Sequence, residues 1–319
     1  SQTFRIALDS ELKVGRFSFS QQDLSIAVKG LPLSVVRTYD SLKPGSGDFG
    51  HGWTYAILEA DVKFDETRAS DVDIYTGRPV SVRSGGGRDI TLTMPDTGRR
   101  VTFRFDQGAV SQIGQAPFGM AVARWRAPAG VYATLEPTCS PNLLLLQGLW
   151  GDPLIYWEAG GLLPSYENFD FPGFVLTTKD GTKYTLERES QGEVLTDSGA
   201  TLTPYTGGKL KRIEVPSGDR LEFEREADGL LRIDHFNSAG DKTKSLFFTR
   251  DAQNRIVGVY EAANVDANGQ PTGPASVSYE YDAAGNLVSV SQLTDASNPS
   301  DPSYRTIRYV YGNAQHPHY

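Results

Sequence analysis

Two short motifs offer the most direct route to chemistry. Asp96-Thr97-Gly98 and Asp197-Ser198-Gly199 each carry the Asp-Thr/Ser-Gly triplet of aspartic-type hydrolases. Two carboxylates brought together would share a proton and activate a water molecule. Their surroundings argue for another role. Gly98 stands in the same local frame as Gly181 and Gly218, where Asp180 and Ser217 precede the glycine, so the aspartate reads as turn chemistry. Arg99 and Arg100 follow at once, two cations where a shielded carboxylate site has no use for them. An aspartic-type hydrolase is thus the most remote of three functional readings, and no catalytic residue is assigned.

The other constellations are weaker. Gly45-Ser46-Gly47-Asp48-Phe49-Gly50 has the spacing of a dinucleotide fingerprint. That motif needs a helix N-terminus at the pyrophosphate, and here Pro44 precedes it while His51-Gly52-Trp53-Thr54-Tyr55 reads as a further turn and strand. Asn264-Val265-Asp266-Ala267-Asn268-Gly269 copies the first half of a calcium loop, but the glutamate position falls on Ala275, which favours a plain hairpin loop. His316 and His318, separated by Pro317, are too few for a specific metal site. His235 follows Asp234, yet no Gly-x-Ser-x-Gly accompanies them. His51 and the single cysteine, Cys139, complete the set; one cysteine forms no internal disulfide and no Cys-based zinc site. Gly208-Lys209 runs into Leu210 rather than a Walker serine or threonine. No cofactor and no metal are expected.

The elements that would position any site are strands. Alternation dominates the chain, as in Leu24-Ser-Ile26-Ala-Val28, Val101-Thr-Phe103-Arg-Phe105, Val277-Ser-Tyr279-Glu-Tyr281 and Ile307-Arg-Tyr309-Val-Tyr311. Period-two runs of aromatic and β-branched residues are half-buried strands. Gly98, Gly181 and Gly218 each open a frame of glycine, two residues, apolar, any, apolar, with weaker copies after Gly77 and Gly87. A second glycine frame places an apolar anchor two residues on, at Val110, Val194, Leu231 and Leu287, with Asn254 standing in for glycine before Ile256. Anchors recurring in this way are the mark of a repeat architecture.

The 319 residues include 33 Gly and 18 Pro, and 39% are hydrophobic. That suffices for a core. A net charge of −8 supplies no basic field for nucleic acid, and the clusters at Lys209-Lys211-Arg212 and Lys242-Lys244 are interleaved with acids as on a solvated face. No apolar run approaches the ~18 residues of a membrane helix. The start at Ser1 and the stop after a strand-like run at Tyr311 suggest a piece of a longer protein.

Tyr281-Asp282-Ala-Ala-Gly285-Asn286-Leu287 resembles the motif of Rhs/YD-repeat proteins. Asp251-Ala-Gln-Asn254-Arg255-Ile256 and Glu226-Ala-Asp-Gly229 are similar to degenerate copies, departing at the Tyr, where Arg250 and Arg225 stand. Leu31-Pro-Leu33-Ser-Val35-Val-Arg37-Thr-Tyr39-Asp40 with Gly47-Asp-Phe49-Gly50-His-Gly52-Trp53 resembles the module that opens many such arrays. The resemblance covers about residues 22–114 and 176–319. It implies an all-β chain of antiparallel hairpin repeats forming a strip of curved sheet, part of a hollow shell similar to those of insecticidal toxin complexes and teneurins.

On this reading residues 1–114 form the opening β-module, 115–175 an irregular insertion rich in Trp, Pro and Gly that packs against the sheet, and 176–319 the degenerate repeats. The architectural residues are Arg37, Tyr39, Gly50, Gly52 and Trp53 in the module and Asp251, Asn254, Tyr281, Asp282, Gly285, Asn286 and Leu287 in the repeats. The implied function is structural and non-enzymatic: a shell segment that encapsulates and helps deliver a C-terminal toxin or effector cargo, secreted or at the cell surface. The implied partners are that cargo domain, further YD repeats and delivery machinery. The second reading is a cell-surface adhesion or carbohydrate-binding module whose partners are glycans.

Overall fold

The structure, a computed structural model, describes residues 17–43, 45–56, 63–64, 67–72, 79–84, 89–95, 99–106, 108, 111–112, 118–147, 153–158, 166–168, 172–190, 194–195, 201–202, 205–226, 229–298 and 301–311. The chain is all-β and antiparallel. Two of its sheets meet where Tyr279 contacts Asp23. In chain order, the first holds β1 (Ser18–Ile26), β2 (Leu33–Asp40) and β3 (Trp53–Tyr55). The second has 15 strands: β4 (Lys63–Phe64), β5 (Ile90–Thr93), β6 (Arg100–Asp106), β7 (Arg124–Arg126), β8 (Thr134–Pro137), β9 (Gly173–Thr177), β10 (Lys183–Ser190), β11 (Tyr205–Glu214), β12 (Arg220–Glu226), β13 (Gly229–Phe236), β14 (Lys242–Arg250), β15 (Ile256–Glu261), β16 (Val277–Tyr281), β17 (Leu287–Asp295) and β18 (Ser303–Arg308). From β4 to β18 each strand pairs with its predecessor, so order in space is order in the chain. At about 4.8 Å per strand the strip runs on the order of 65 Å.

A side sheet branches from this strip within residues 111–168. Its strands are Ser111–Gln112, Phe118–Val122, Asn142–Gln147, Pro153–Glu158 and Tyr166–Asn168. The Leu143–Leu146 run is strand. Between these strands, β7 and β8 return to the long sheet, and the Ala123 N–H donates to Pro141 O at the branch.

One turn recurs along the strip. At 178–182, 215–219, 237–241, 251–255, 266–270 and 282–286 the first N–H donates to the fifth carbonyl and the fourth N–H to the first carbonyl, at 2.8–3.0 Å. The fourth residue is left-handed at each (Gly181, Gly218, Gly240, Asn254, Gly269, Gly285). This is a type I turn closed by a left-handed residue, which suits the twist of a hairpin. Where Asn or Asp leads, its side chain accepts the third and fifth N–H groups; Asp282 does so from Ala284 and Asn286 at 2.9 Å each. The Asp266 loop, calcium-like in sequence, is one of these turns, its carboxylate bonded to the Asn268 and Gln270 N–H groups at 2.9 and 2.8 Å.

The frame departs from the sequence reading at one anchor. After Gly229 the buried residue is Leu230, not Leu231, because the β12–β13 pairing shifts register between Glu224 and Arg225. One residue of slip exchanges the two faces of a strand.

Alternation sorts the faces. Val101 and Phe103, Leu221 and Phe223, and Val277 and Tyr279 point into the core. Outside, Lys211 meets Glu187 at 3.0 Å, Arg212 and Arg220 both meet Glu222 at 2.9 Å, and Arg232 and Lys242 hold Asp234. The exposed pairs of this ladder are each worth about 0–1 kcal/mol, whereas Asp234 is itself buried between Arg232 and Lys242.

Candidate functional site

The site is a clasp in which residues 17–55, carrying β1–β3 and called the module below, lie across the strip, while β4–β6, also within 1–114, belong to the strip itself. Its centre is β2, whose Leu33, Val35, Arg37 and Tyr39 all face inward. A charge in that row needs a partner, and β1 supplies it by an irregularity. Gln22 pairs with Val36 and Leu24 with Val35, leaving Asp23 as the extra residue of a bulge. Bulges re-aim side chains. Asp23 turns inward and takes a bidentate contact from Arg37, through Nε and, at 2.8 Å, through Nη2. Both side chains are fully buried. Burial opposes the Arg37 charge, but the hydrogen bonds and field of Asp23 outweigh it and hold the guanidinium pKa above its ordinary value.

The strip completes the cage. The Tyr279 hydroxyl on β16 donates to Asp23 at 2.9 Å, and Gln292 on β17 donates to the Asp23 carbonyl at 2.9 Å. Arg37 stands 4.4 Å from the Trp53 ring centre and 5.6–5.9 Å from those of Phe49, Tyr279 and Tyr309. Electron-rich faces favour a desolvated cation. Tyr39 packs on Trp53 at 5.3 Å between ring centres, and Tyr55 reaches Phe248 on β14 at 6.1 Å.

The contacts march across the sheet. Gly30 abuts Asp219 in the turn before β12, Tyr55 meets β14, Asp23 and Arg37 meet β16, and Trp53 meets Tyr309 and Tyr311 beyond β18. Residues 30–39 extend about 30 Å, close to the width of β12–β18 at about 4.8 Å per strand. The module therefore crosses the strip at near right angles, as in orthogonal sheet packing.

The Tyr281–Leu287 motif, read separately from the module on sequence, sits against it. The Gly285 carbonyl accepts the His51 N–H at 3.0 Å. A Cβ on Gly50 would lie 2.5 Å from that carbonyl oxygen and 3.0 Å from the Tyr281 ring, and Gly50 is itself left-handed at φ +84°. Tyr281 donates to the Ile256 carbonyl at 2.6 Å and carries Arg255 over its ring at 4.3 Å. Asn286 donates to Asp282 at 2.9 Å, and Leu287 is fully buried. One hairpin back, the Ile256 N–H donates to the Asp48 carbonyl at 2.7 Å, and Asp48 pairs with Arg250 at 2.7 Å. Asp251 and Asn254 shape the adjoining turn. Gly52 is tight against Tyr39, where a Cβ would lie 2.8 Å from the ring.

Asp23 is the residue that sequence reasoning missed. In the alternation that opens at Leu24 it holds an ordinary polar position, so nothing in the segment marks it. Gly45 to Gly50 form the short hairpin Ser46–Gly47 with Gly50–His51. His235 lies 2.6 Å from the Thr243 hydroxyl, while Asp234 bonds Ser245, Lys242 and Arg232 instead, so the two do not act together. Cys139 is half-buried and its thiol is pushed up to about 11 by burial. Asp96–Gly98, Asp197–Gly199, Gly77, Gly87, Gly192, His316 and His318 lie outside the described residues.

Residues 11–103 match a family model described as a domain of unknown function (DUF6531). The match takes in the strands that carry Asp23, Arg37 and Trp53. Solved structures similar to the chain include the N-terminal domain of effector protein SpvB from Salmonella typhimurium, at 14% identity and TM-score 0.39, covering 92% of this chain and 99% of that one. TcdB2-TccC3-Cdc42 is similar at 13% identity and TM-score 0.45, covering 91% of this chain and 15% of that one. The Photorhabdus luminescens Tc holotoxin pore is similar at 12% identity and TM-score 0.36, covering 90% and 14%. No curated protein matches the chain. Among the described residues no helix is long and apolar enough to cross a membrane.

Proposed function

We propose that this chain is the opening section of a β-sheet shell that encloses a toxin or effector cargo and helps deliver it outside the cell. The observation that carries this reading is the clasp: one module spans the strip from the turn before β12 to the segment beyond β18. A long sheet of paired hairpins bends easily unless something crosses it. A crossbar anchored on a fully buried ion pair holds a fixed curvature, which a container wall requires. The resemblance of Tyr281–Leu287 to YD repeats supports the same reading, with further repeats continuing the wall. The residues act by architecture, and the partners are the enclosed cargo and the proteins that export it.

The test uses the gene that contains this chain. Cargo encoded downstream should resist protease in the intact product and become sensitive when Arg37→Ala loosens the clasp. Cargo equally sensitive in both overturns the proposal. Binding of the intact chain to a glycan array, lost on Tyr132→Ala at its exposed ring, would favour the adhesion reading instead.

A further inference from the structure

We infer that Tyr309-Val310-Tyr311 is a lock that seats the opening module only when the strip is paired through β18. Strand pairing stops at Arg308, yet the chain does not leave the sheet: the Tyr309 N–H donates to the Val288 carbonyl at 3.0 Å. Val310 is 95% exposed, while both flanking tyrosines turn onto the module. The Tyr309 ring lies 5.2 Å from Trp53, and its hydroxyl accepts from Arg37 Nη2 at 3.2 Å. The Tyr311 hydroxyl accepts the Trp53 indole N–H at 2.9 Å and donates to the Leu287 carbonyl at 2.9 Å. Tyr311 thus ties three elements together: the module, β17 and its own segment.

Arg37 makes this tie consequential. Its Nη1 has no hydrogen-bond partner among the described residues, so the buried cation has no acceptor to spare. Phe49 and Trp53 come with the module, but Tyr279 and Tyr309 arrive only with β16 and the segment after β18. Each hydrogen bond to a buried charge pair offsets part of its desolvation penalty, and this pair already carries one unsatisfied N–H. Without the lock, the Arg37–Asp23 pair is open on one side and the module has reason to lift. Its seating, 258–272 residues away in sequence, then reports whether the strip is paired through β18. This holds whatever the strip encloses.

Amide hydrogen exchange on the full 319-residue chain tests the lock. The double variant Tyr309→Phe/Tyr311→Phe keeps both rings and removes both hydroxyls. Exchange in β1, β2 and β3 should rise at least tenfold, while β10–β13 stay protected. Arg305→Ala, on the exposed side of β18, should change neither. Tyr309→Ala/Tyr311→Ala should give the larger effect in the same place; if that variant fails to fold, the phenylalanine pair decides. Acceleration confined to β17 and β18, or spread evenly over the strip, overturns the inference.

Discussion

The Tyr279 hydroxyl donates to the Asp23 carboxylate at 2.9 Å and joins residues 256 positions apart. With Arg37 on its other side, the bulged aspartate is the point where module and strip share one polar group. Everything else in the clasp is arranged around it.

Removing one partner of this pair should be costly. Arg37→Ala strands a buried carboxylate, and Asp23→Ala a buried guanidinium, each at about 3–5 kcal/mol. Urea midpoints of the full chain measure this. The double variant Asp23→Leu/Arg37→Met should cost less than the sum of the two single truncations, because neither charge remains. A sum that adds without coupling would mean that the pair does not act as a unit.

Gly50→Ala combines a left-handed backbone with a collision against the Gly285 carbonyl. The conformational part alone costs about 1–2 kcal/mol. The collision should also lift the 46–51 hairpin from the strip, seen as faster exchange of the Ile256 amide, whose N–H is held by Asp48. Gly45→Ala is the control: it shares the positive φ but nothing lies within 4 Å of its Cβ.

Asn254 is the one non-glycine residue of positive φ among those described, at +63°. Asn254→Ala should lose about 1–2 kcal/mol by thermal melting, since a Cβ without a compensating local hydrogen bond is disfavoured there. Asn254→Gly should stay within about 0.5 kcal/mol of the parent.

Acid should attack the turns. Partial burial works against the Asp282 charge, but the Asn286 side chain and the backbone N–H groups of Asn286, Ala284 and Gly285 outweigh it and lower the pKa from 3.8. Asp251 is lowered likewise, burial being outweighed by the Arg255 side chain and N–H. A lowered folded pKa adds stability that is complete above the ordinary value and lost as pH falls through the folded one. Asp282→Asn keeps the acceptor oxygen but not the charge. It should therefore lower the urea midpoint at neutral pH and flatten its fall between about pH 5 and pH 2.

Alkali should attack the clasp. Burial first, and the nearby Asp48 and Asp23 charges second, raise the Tyr55 phenol above 10.0, and burial does the same for Tyr279, Tyr281 and Tyr311. A raised folded pKa adds stability present below the ordinary value and lost as pH rises through the folded one. Absorbance titration should show a class of tyrosines that ionises only as the chain unfolds. If all tyrosines titrate together near their ordinary value, the clasp is open in solution.

Much of the strip could be read from the sequence, because alternation and turn glycines are local signals. Val277 to Tyr281 and Leu287 follow from period and spacing alone, while Arg37 was named only through the resemblance of its segment to the opening module. Leu230 was misplaced by one residue, since a register shift depends on the partner strand and leaves no mark in the segment itself. Asp23 was missed for the same reason: only pairing with β2 creates the bulge. The meeting of Gly50 with Gly285 was not legible, because nothing local says which of many hairpins a distant module will cross.

The turn at 178–182 closes with the same backbone bonds as the turn at 282–286, although their leading residues are threonine and aspartate. In each turn the two bonds that close it lie within its own five residues. A hairpin added ahead of β12 would leave the contacts of β12–β18 with the module in place. Past β12, the same edit would carry Tyr279 away from Asp23. The module therefore sets the number of strands from β12 to β18 and places no such demand on the strands ahead of them.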